Sequence, residues 1–437
     1  MFKIIIILAL NMLLYAKSLK LGYVSDDLQV LKFPPPIKNK WHKRFLWLIG
    51  SYKFIPPIDH LLTLIFHALV SVFIYLAFGS NNLSFVAALL FTCNPANNQG
   101  SVWIAGRGYV IPSLMLLISL YMPFLAPFLL WGMGFFVAGY LAPLSLLGSK
   151  NAYLLALMPF FWFFWWKKFK GDVKRKLSRE AVVEDSKINL KKFILAIKTM
   201  GFYFTLGIIP FRLTFYHSFL QSCAGNEIMK KRAYSLCKFF WIGMSVIILW
   251  IYLLTKGWNL TTYGMMWFFI NIAPFCNFRR VQQEISERYL YLPNVGLMLA
   301  LGSLIYQNQI LVAVFMTMYI TRLLTFYIRA YQDDYWLMES AVYEDPGAWY
   351  AWHIRGFKRW ETQSYREALI MWVMAKLIDP KEFKLLFNIA VVLKLLRHDA
   401  ESEKYLKEAE DNIIPGQEKE AQELIRQFRT GKMPLVI

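Results

Sequence analysis

Charge is scarce in this chain of 437 residues: 17% of positions carry it, and they cluster, so long stretches hold almost none. That scarcity excludes an ordinary soluble globule, which interrupts its apolar runs with ionised side chains. The four cysteines, Cys93, Cys223, Cys237 and Cys276, have no metal-ligand spacing. Most lie in or beside apolar segments, and they read as core residues. No nucleic-acid motif is present, and the basic residues flank apolar runs, which excludes nucleic acid as a partner. Acidic residues are outnumbered, 28 against 48 basic ones, and the net charge is +20. That excess suits anionic lipid headgroups, or a substrate phosphate.

What is abundant is apolar surface, with 57% hydrophobic and 17% aromatic residues. Several runs of roughly 17 to 20 residues are long enough to cross a bilayer as helices. The fold class is therefore all-α, a polytopic membrane helix bundle. The first run covers 2–16 and continues through Leu19, with Lys17 and Lys20 snorkelling. It reads as an uncleaved anchor, because no clear small-x-small site precedes Ser25. Later runs fall near 60–78, 83–104, 109–121, 124–141, 153–166, 193–211, 239–255, 263–275, 292–305 and 311–328, about eleven spans in all. Between Lys38 and Lys53, Trp41, Phe45 and Trp47 alternate with basic residues, a pattern for a helix lying in the interface.

The basic stretch from Lys167 to Lys192 marks the cytoplasmic side. Counting spans from it puts the amino terminus in the cytoplasm. The loop after the first span, the 94–107 region, the Ser149-Lys150 turn, the 276–291 segment and the carboxy-terminal domain then share the other side. Residues 1–330 form the membrane domain, and 331–437 a second, soluble helical domain. In the latter, Ala341, Ala375 and Ala409 recur every 34 residues, as do Pro346 and Pro380, which is the period of the tetratricopeptide repeat. Such stacks bind peptides or partner proteins along a concave face.

Gly22-Tyr23-Val24-Ser25-Asp26-Asp27 places two adjacent carboxylates where the first span leaves the bilayer. Asp59-His60 and His67 open the second span. Asn94-Pro95 leads to Trp103-Ile104-Ala105-Gly106-Arg107, then come Ser149-Lys150 and Glu287-Arg288-Tyr289-Leu290-Tyr291-Leu292-Pro293, then the repeats. In this order the chain resembles the transmembrane O-mannosyltransferases with tetratricopeptide repeats, of the GT-C glycosyltransferase superfamily. The resemblance implies a GT-C type helix bundle with an active site at the extracytoplasmic surface, in a bacterial inner membrane or an endoplasmic reticulum. It implies a polyprenyl- or dolichyl-phosphate sugar as donor and a hydroxyl, commonly of protein Ser or Thr, as acceptor. The chain departs from its relatives where they read His-Pro-x-His-x-Glu. Here Asn94, Pro95, Asn97 and Gln99 stand instead, so titratable or metal-binding roles are absent at those positions.

Inverting sugar transfer needs a base for the acceptor hydroxyl and cations for the leaving phosphate. Asp26 or Asp27 is the candidate base, with Asp26 favoured by analogy to the family's leading acid. Arg107, Lys150 and Arg288 are candidate phosphate contacts. Glu287 is expected to pair with Arg288, and Tyr289 and Tyr291 to line the lipid or sugar groove. His60 and Asn94 complete the candidate substrate-binding set. No metal cofactor is expected to be required. The expected partners are the lipid-linked donor, membrane lipids and a protein or peptide acceptor brought by the repeats. Two alternatives stand beside this reading: a glycan or lipid acceptor, or a catalytically silent membrane scaffold that recruits partners through its repeats.

Overall fold

The computed structural model describes residues 1–32, 50, 53–133, 136, 142–159, 163, 190–218, 231–277, 285–379, 381–413 and 418–434. All regular elements among these residues are helices. Most of the basic stretch 167–192, and nearly all of the expected interface helix at 38–53, lie outside the described residues.

The longer helices of the first part are α1 (Phe2–Tyr15), α2 (Asp26–Lys32), α3 (Pro56–Ala77), α4 (Asn82–Cys93), α5 (Asn98–Ser101), α6 (Arg107–Tyr121), α7 (Ala126–Met133), α8 (Leu190–Ile208), α9 (Lys238–Thr255), α10 (Leu260–Ile272), α11 (Tyr291–Ile305) and α12 (Gln309–Ala330). Local chemistry sets their ends. Pro56 and Pro57 open α3, where a missing N–H costs nothing. Asn81 caps α4 reciprocally with Ser84, at 2.9 and 3.1 Å. Asn259 and Asn308 cap α10 and α12.

Among the described residues, five stretches are long and apolar enough to cross a membrane: Phe2–Lys20, Pro56–Ala77, Ile104–Tyr121, Lys231–Thr255 and Gln309–Tyr327. They differ in depth. In Ile104–Tyr121, 67% of the apolar window is buried against protein, whereas in Lys231–Thr255 the figure is 11%. The latter turns Trp241, Ile248, Leu249, Ile251 and Tyr252 outward. The apolar run 83–104 is not one helix as expected. It stops at Cys93, because Pro95 disfavours helical backbone at Asn94, and the chain folds back as short turns before α6.

Two glycine crossings hold the bundle tight. A Cβ at Gly264 would sit 2.5 Å from the Gly296 carbonyl, and one at Gly201 would sit 2.0 Å from the Phe239 carbonyl. Small residues at such crossings let helix backbones touch, the packing available where helices gain no hydrophobic drive from water.

After α12 come α13 (Asp334–Glu344), α14 (Trp349–Glu361), α15 (Tyr365–Ile378), α16 (Phe383–Leu395), α17 (Asp399–Glu410) and α18 (Glu418–Arg429). Consecutive helices from α13 to α17 pack on one another. The main apolar core runs from Ile7 in α1 to Ala351 in α14, and two smaller clusters serve the later helices.

Candidate functional site

The loop after α1 is the meeting point of three distant segments. Trp103 donates from Nε1 to the Val24 carbonyl at 3.4 Å, and His60 Nε2 lies 3.2 Å from the Gly22 carbonyl. Ser25, with φ +54°, turns the chain into α2, and its N–H donates to Asp334 Oδ1 at 2.6 Å. The acidic pair opens α2, where negative side chains favour the helix dipole.

The two carboxylates of that pair point to different environments. Asp27 is buried, forms an ion pair with Lys53 Nζ at 2.7 Å and accepts the Ala105 N–H at 3.1 Å. Burial pushes its carboxyl above the ordinary value, against the pull of Lys53, and pulls the Lys53 ammonium down. Asp26 is exposed. The pair therefore does not converge on one point, and among the described residues no three His, Cys, Asp or Glu side chains gather as a metal cluster.

Arg107 and Asp59 form a second, fully buried pair at 2.6 Å. Arg107 also donates to the Asp59 carbonyl at 2.7 Å and to Thr63 Oγ1 at 2.8 Å. The other Asp59 oxygen accepts from Tyr23 and the Phe54 N–H, at 2.8 and 2.9 Å. Just before Arg107, Gly106 packs its backbone on the turn at Gln99, where a Cβ would meet the Gln99 carbonyl at 1.8 Å. The guanidinium expected on a substrate phosphate is thus spent on tying α6 to α3.

Arg288 is placed otherwise. It is 9% exposed, and its guanidinium lies over the rings of Trp103 and Tyr289, with centroids at 5.2 and 5.3 Å. No carboxylate among the described residues is in ion-pair distance of it. Tyr289 is itself stacked on Phe275, at 4.4 Å and 9°. The Asp26 carboxylate is close enough to act electrostatically on Arg288, Tyr216 and Tyr350. Rings connect these groups: Trp103 meets Phe215 at 5.1 Å, Phe215 meets Tyr216 at 5.0 Å, and Tyr216 meets Tyr350 of α14 at 4.9 Å. An exposed carboxylate, a buried cation and an aromatic wall thus share one end of the bundle.

Three expectations are corrected. Glu287 does not pair with Arg288: it accepts the Thr214 N–H at 2.5 Å and faces His217 Nε2 at 3.4 Å. Burial pushes its carboxyl up, opposed by His217. Tyr291 lies inside the bundle, its hydroxyl 2.6 Å from His67 Nδ1, rather than along a groove. Lys150 is not at this site. It lines a cleft of about 420 Å³ with Phe78, Leu120, Trp258 and Tyr263. Phe78 and Leu120 belong to the far ends of α3 and α6, and α3 alone is 22 residues, or ~33 Å, long.

The amides Asn94, Asn97, Gln99 and Asn294 are part of a buried network. Asn94 donates to the Gly207 carbonyl at 2.7 Å, Asn97 to the Phe91 carbonyl at 2.8 Å, and Asn294 to Asn97 at 2.9 Å. Gln99 Oε1 accepts from Ser286 Oγ and the Arg288 N–H, at 2.9 and 3.2 Å. Gln99 therefore holds the backbone of Arg288 in place.

The sequence reading missed Lys53, Asp59, Tyr216, His217, Asp334 and Tyr350 as site-end residues. Asp59 in the first turn of a long apolar helix was the one readable signal, since an ionised group there needs a buried partner. Comparison with protein-family models, with curated proteins and with solved structures gives no match to this chain.

Proposed function

We propose that the protein is a multi-pass membrane glycosyltransferase of the GT-C type. It moves a sugar from a polyprenyl- or dolichyl-phosphate donor to an acceptor hydroxyl, of Ser or Thr in a protein. The observation that carries the reading is the exposed Asp26 at the same end of the bundle as Arg288, a buried cation held by the Tyr109 side chain, by rings and by backbone, with no ion pair to a carboxylate among the described residues.

The chemistry follows from those positions. Asp26 takes the acceptor proton as the hydroxyl oxygen attacks the anomeric carbon. The bond between that carbon and the phosphate oxygen breaks on the opposite face, inverting the centre. Its electron pair leaves on the phosphate, whose charge Arg288 meets. Asp27, paired with Lys53, fixes the start of α2. The step needs no divalent metal in this reading.

The architecture is read in the same sense. The five apolar stretches, with the shorter apolar helices Asn82–Cys93 and Pro123–Met133, are read as part of a bundle of about eleven spans. The site faces the extracytoplasmic side. Helices α14 and α15 are followed 34 residues later by α16 and α17, since Trp349 corresponds to Phe383 and Tyr365 to Asp399. That offset supports tetratricopeptide repeats, which would bring the protein acceptor.

The test is transfer by the purified chain from a polyprenyl-phosphate sugar to a Ser/Thr peptide. Asp26→Asn is expected to keep the fold and lower the rate by about 10²- to 10⁴-fold. Asp27→Asn is expected to reduce stability, because it strands Lys53. Full activity of the Asp26→Asn chain would sink the mechanism. The buried amides at 94, 97 and 99 favour a rival, a silent scaffold. Absence of transfer by the unmodified chain from every polyprenyl-phosphate sugar, to peptide, glycan and lipid acceptors alike, would favour that rival.

A further inference from the structure

The turn that presents Asp26 is held from outside the membrane-helix region. Ser25 takes a left-handed conformation, which is unfavourable for a non-glycine residue. Its N–H has to find an acceptor or be lost from the hydrogen-bond balance. Asp334, 309 residues later in the chain, supplies that acceptor at 2.6 Å. The other Asp334 oxygen faces Lys358 Nζ of α14 at 3.8 Å.

Asp334 does not cap its own helix. Asp333 does so, accepting the Trp336 N–H at 2.9 Å. Helix α13 is in turn fixed to the bundle at both ends. Leu337, Met338, Ala341 and Val342 enter the main core. At its far end Glu344 pairs with Arg322 of α12, and Asp345 accepts from the Ser218 N–H at 2.6 Å and from the Ser218 hydroxyl. The carboxylate on Ser25 is therefore mounted on a rigid support, and α2, seven residues long, starts directly from the turn it holds.

We propose that Asp334 is the positioning residue for Asp26: it locks the Ser25 turn, so that the chain after residue 330 completes the site. The inference rests on the reading of Asp26 as the base. It makes the carboxy-terminal region part of the catalytic apparatus, in addition to any acceptor it brings. A base displaced by about 1 Å loses up to about 10²-fold in rate while donor binding is unchanged.

The experiment compares Asp334→Ala, Asp334→Asn and Asp333→Ala in the full-length chain in lipid nanodiscs. Amide hydrogen exchange of segment 22–32 is measured beside transfer kinetics. Asp334→Ala is expected to speed exchange of that segment about tenfold or more and to lower kcat about 10- to 100-fold, with the donor KM unchanged. Asp334→Asn keeps an acceptor oxygen and is expected to recover most of both. Asp333→Ala weakens the same helix without touching Ser25 and is expected to leave both near the unmodified chain. Unchanged exchange in Asp334→Ala, or equal effects of Asp333→Ala, overturns the proposal. Faster exchange in a chain that transfers no sugar would leave the clamp standing and overturn Asp26 as the base instead.

Discussion

Two aspartate–arginine arrangements lie at one end of this molecule, built from the same side-chain types and put to opposite uses. Asp59 and Arg107 are wholly buried and bonded to each other, to Thr63, to Tyr23 and to backbone. Asp26 and Arg288 are not bonded to each other, the acid being exposed and the cation lying against aromatic faces. The first pair has spent its charge on joining α3 to α6. In the second, Arg288 forms no ion pair among the described residues and rests on Tyr109, Trp103 and Tyr289. Identity and proximity of residues do not separate scaffold from site here. What separates them is whether the charge is already answered.

The largest expected effect breaks that contrast from both sides. Arg107→Met strands Asp59 in the interior and is expected to cost about 3–5 kcal/mol of stability, read as a lowered thermal midpoint or a loss of folded yield. Arg288→Met removes a cation that forms no ion pair among the described residues. It is expected to change stability far less, yet to lower sugar transfer by about 10²- to 10³-fold. If Arg288→Met unfolds the chain as Arg107→Met does, the distinction between the two arrangements fails.

A smaller effect concerns pH. Burial holds the Glu287 carboxyl above its reference value of 4.5. The folded chain then keeps a proton that the unfolded chain has already shed, so this group's contribution to stability is lost as pH rises from the ordinary carboxylate range through the folded value. Glu287→Gln cannot titrate but keeps an oxygen for the Thr214 N–H. The stability of the unmodified chain relative to Glu287→Gln should therefore fall as pH rises above the ordinary carboxylate range. A difference that is flat, or that rises with pH, would show the carboxyl to be held down by His217 instead. The smallest effect is expected from Lys150→Ala. Its cleft is at the far end of α3 and α6, so stability should stay within about 0.5 kcal/mol and transfer kinetics should not change. A loss of transfer would bring that cleft into the reaction.

Much of the helical layout was legible from hydropathy. The helices Pro56–Ala77 and Gln309–Ala330 fall close to the expected runs, because an uncharged apolar stretch of that length has few other ways to satisfy its backbone. The break after Cys93 was signalled by Asn94-Pro95, but the apolar residues on either side masked it. The site was legible only in part. Asp26 and Arg288 carried chemistry on their face. Lys150 carried the same apparent chemistry, yet it lies a helix length away, since counting loops along the chain does not measure distance in space.

By itself the sequence determined the helical class, the apolar stretches long enough to span, and the positions where charge interrupts them, since each is a property of neighbouring residues. The tertiary structure decided which charges are answered. Asp27 meets Lys53, Asp59 meets Arg107, and Ser25 meets Asp334 across 309 residues. No local pattern records such pairings, because each depends on where helices far apart in the chain come to rest. The same packing leaves Asp26 facing outward while its immediate neighbour Asp27 is enclosed.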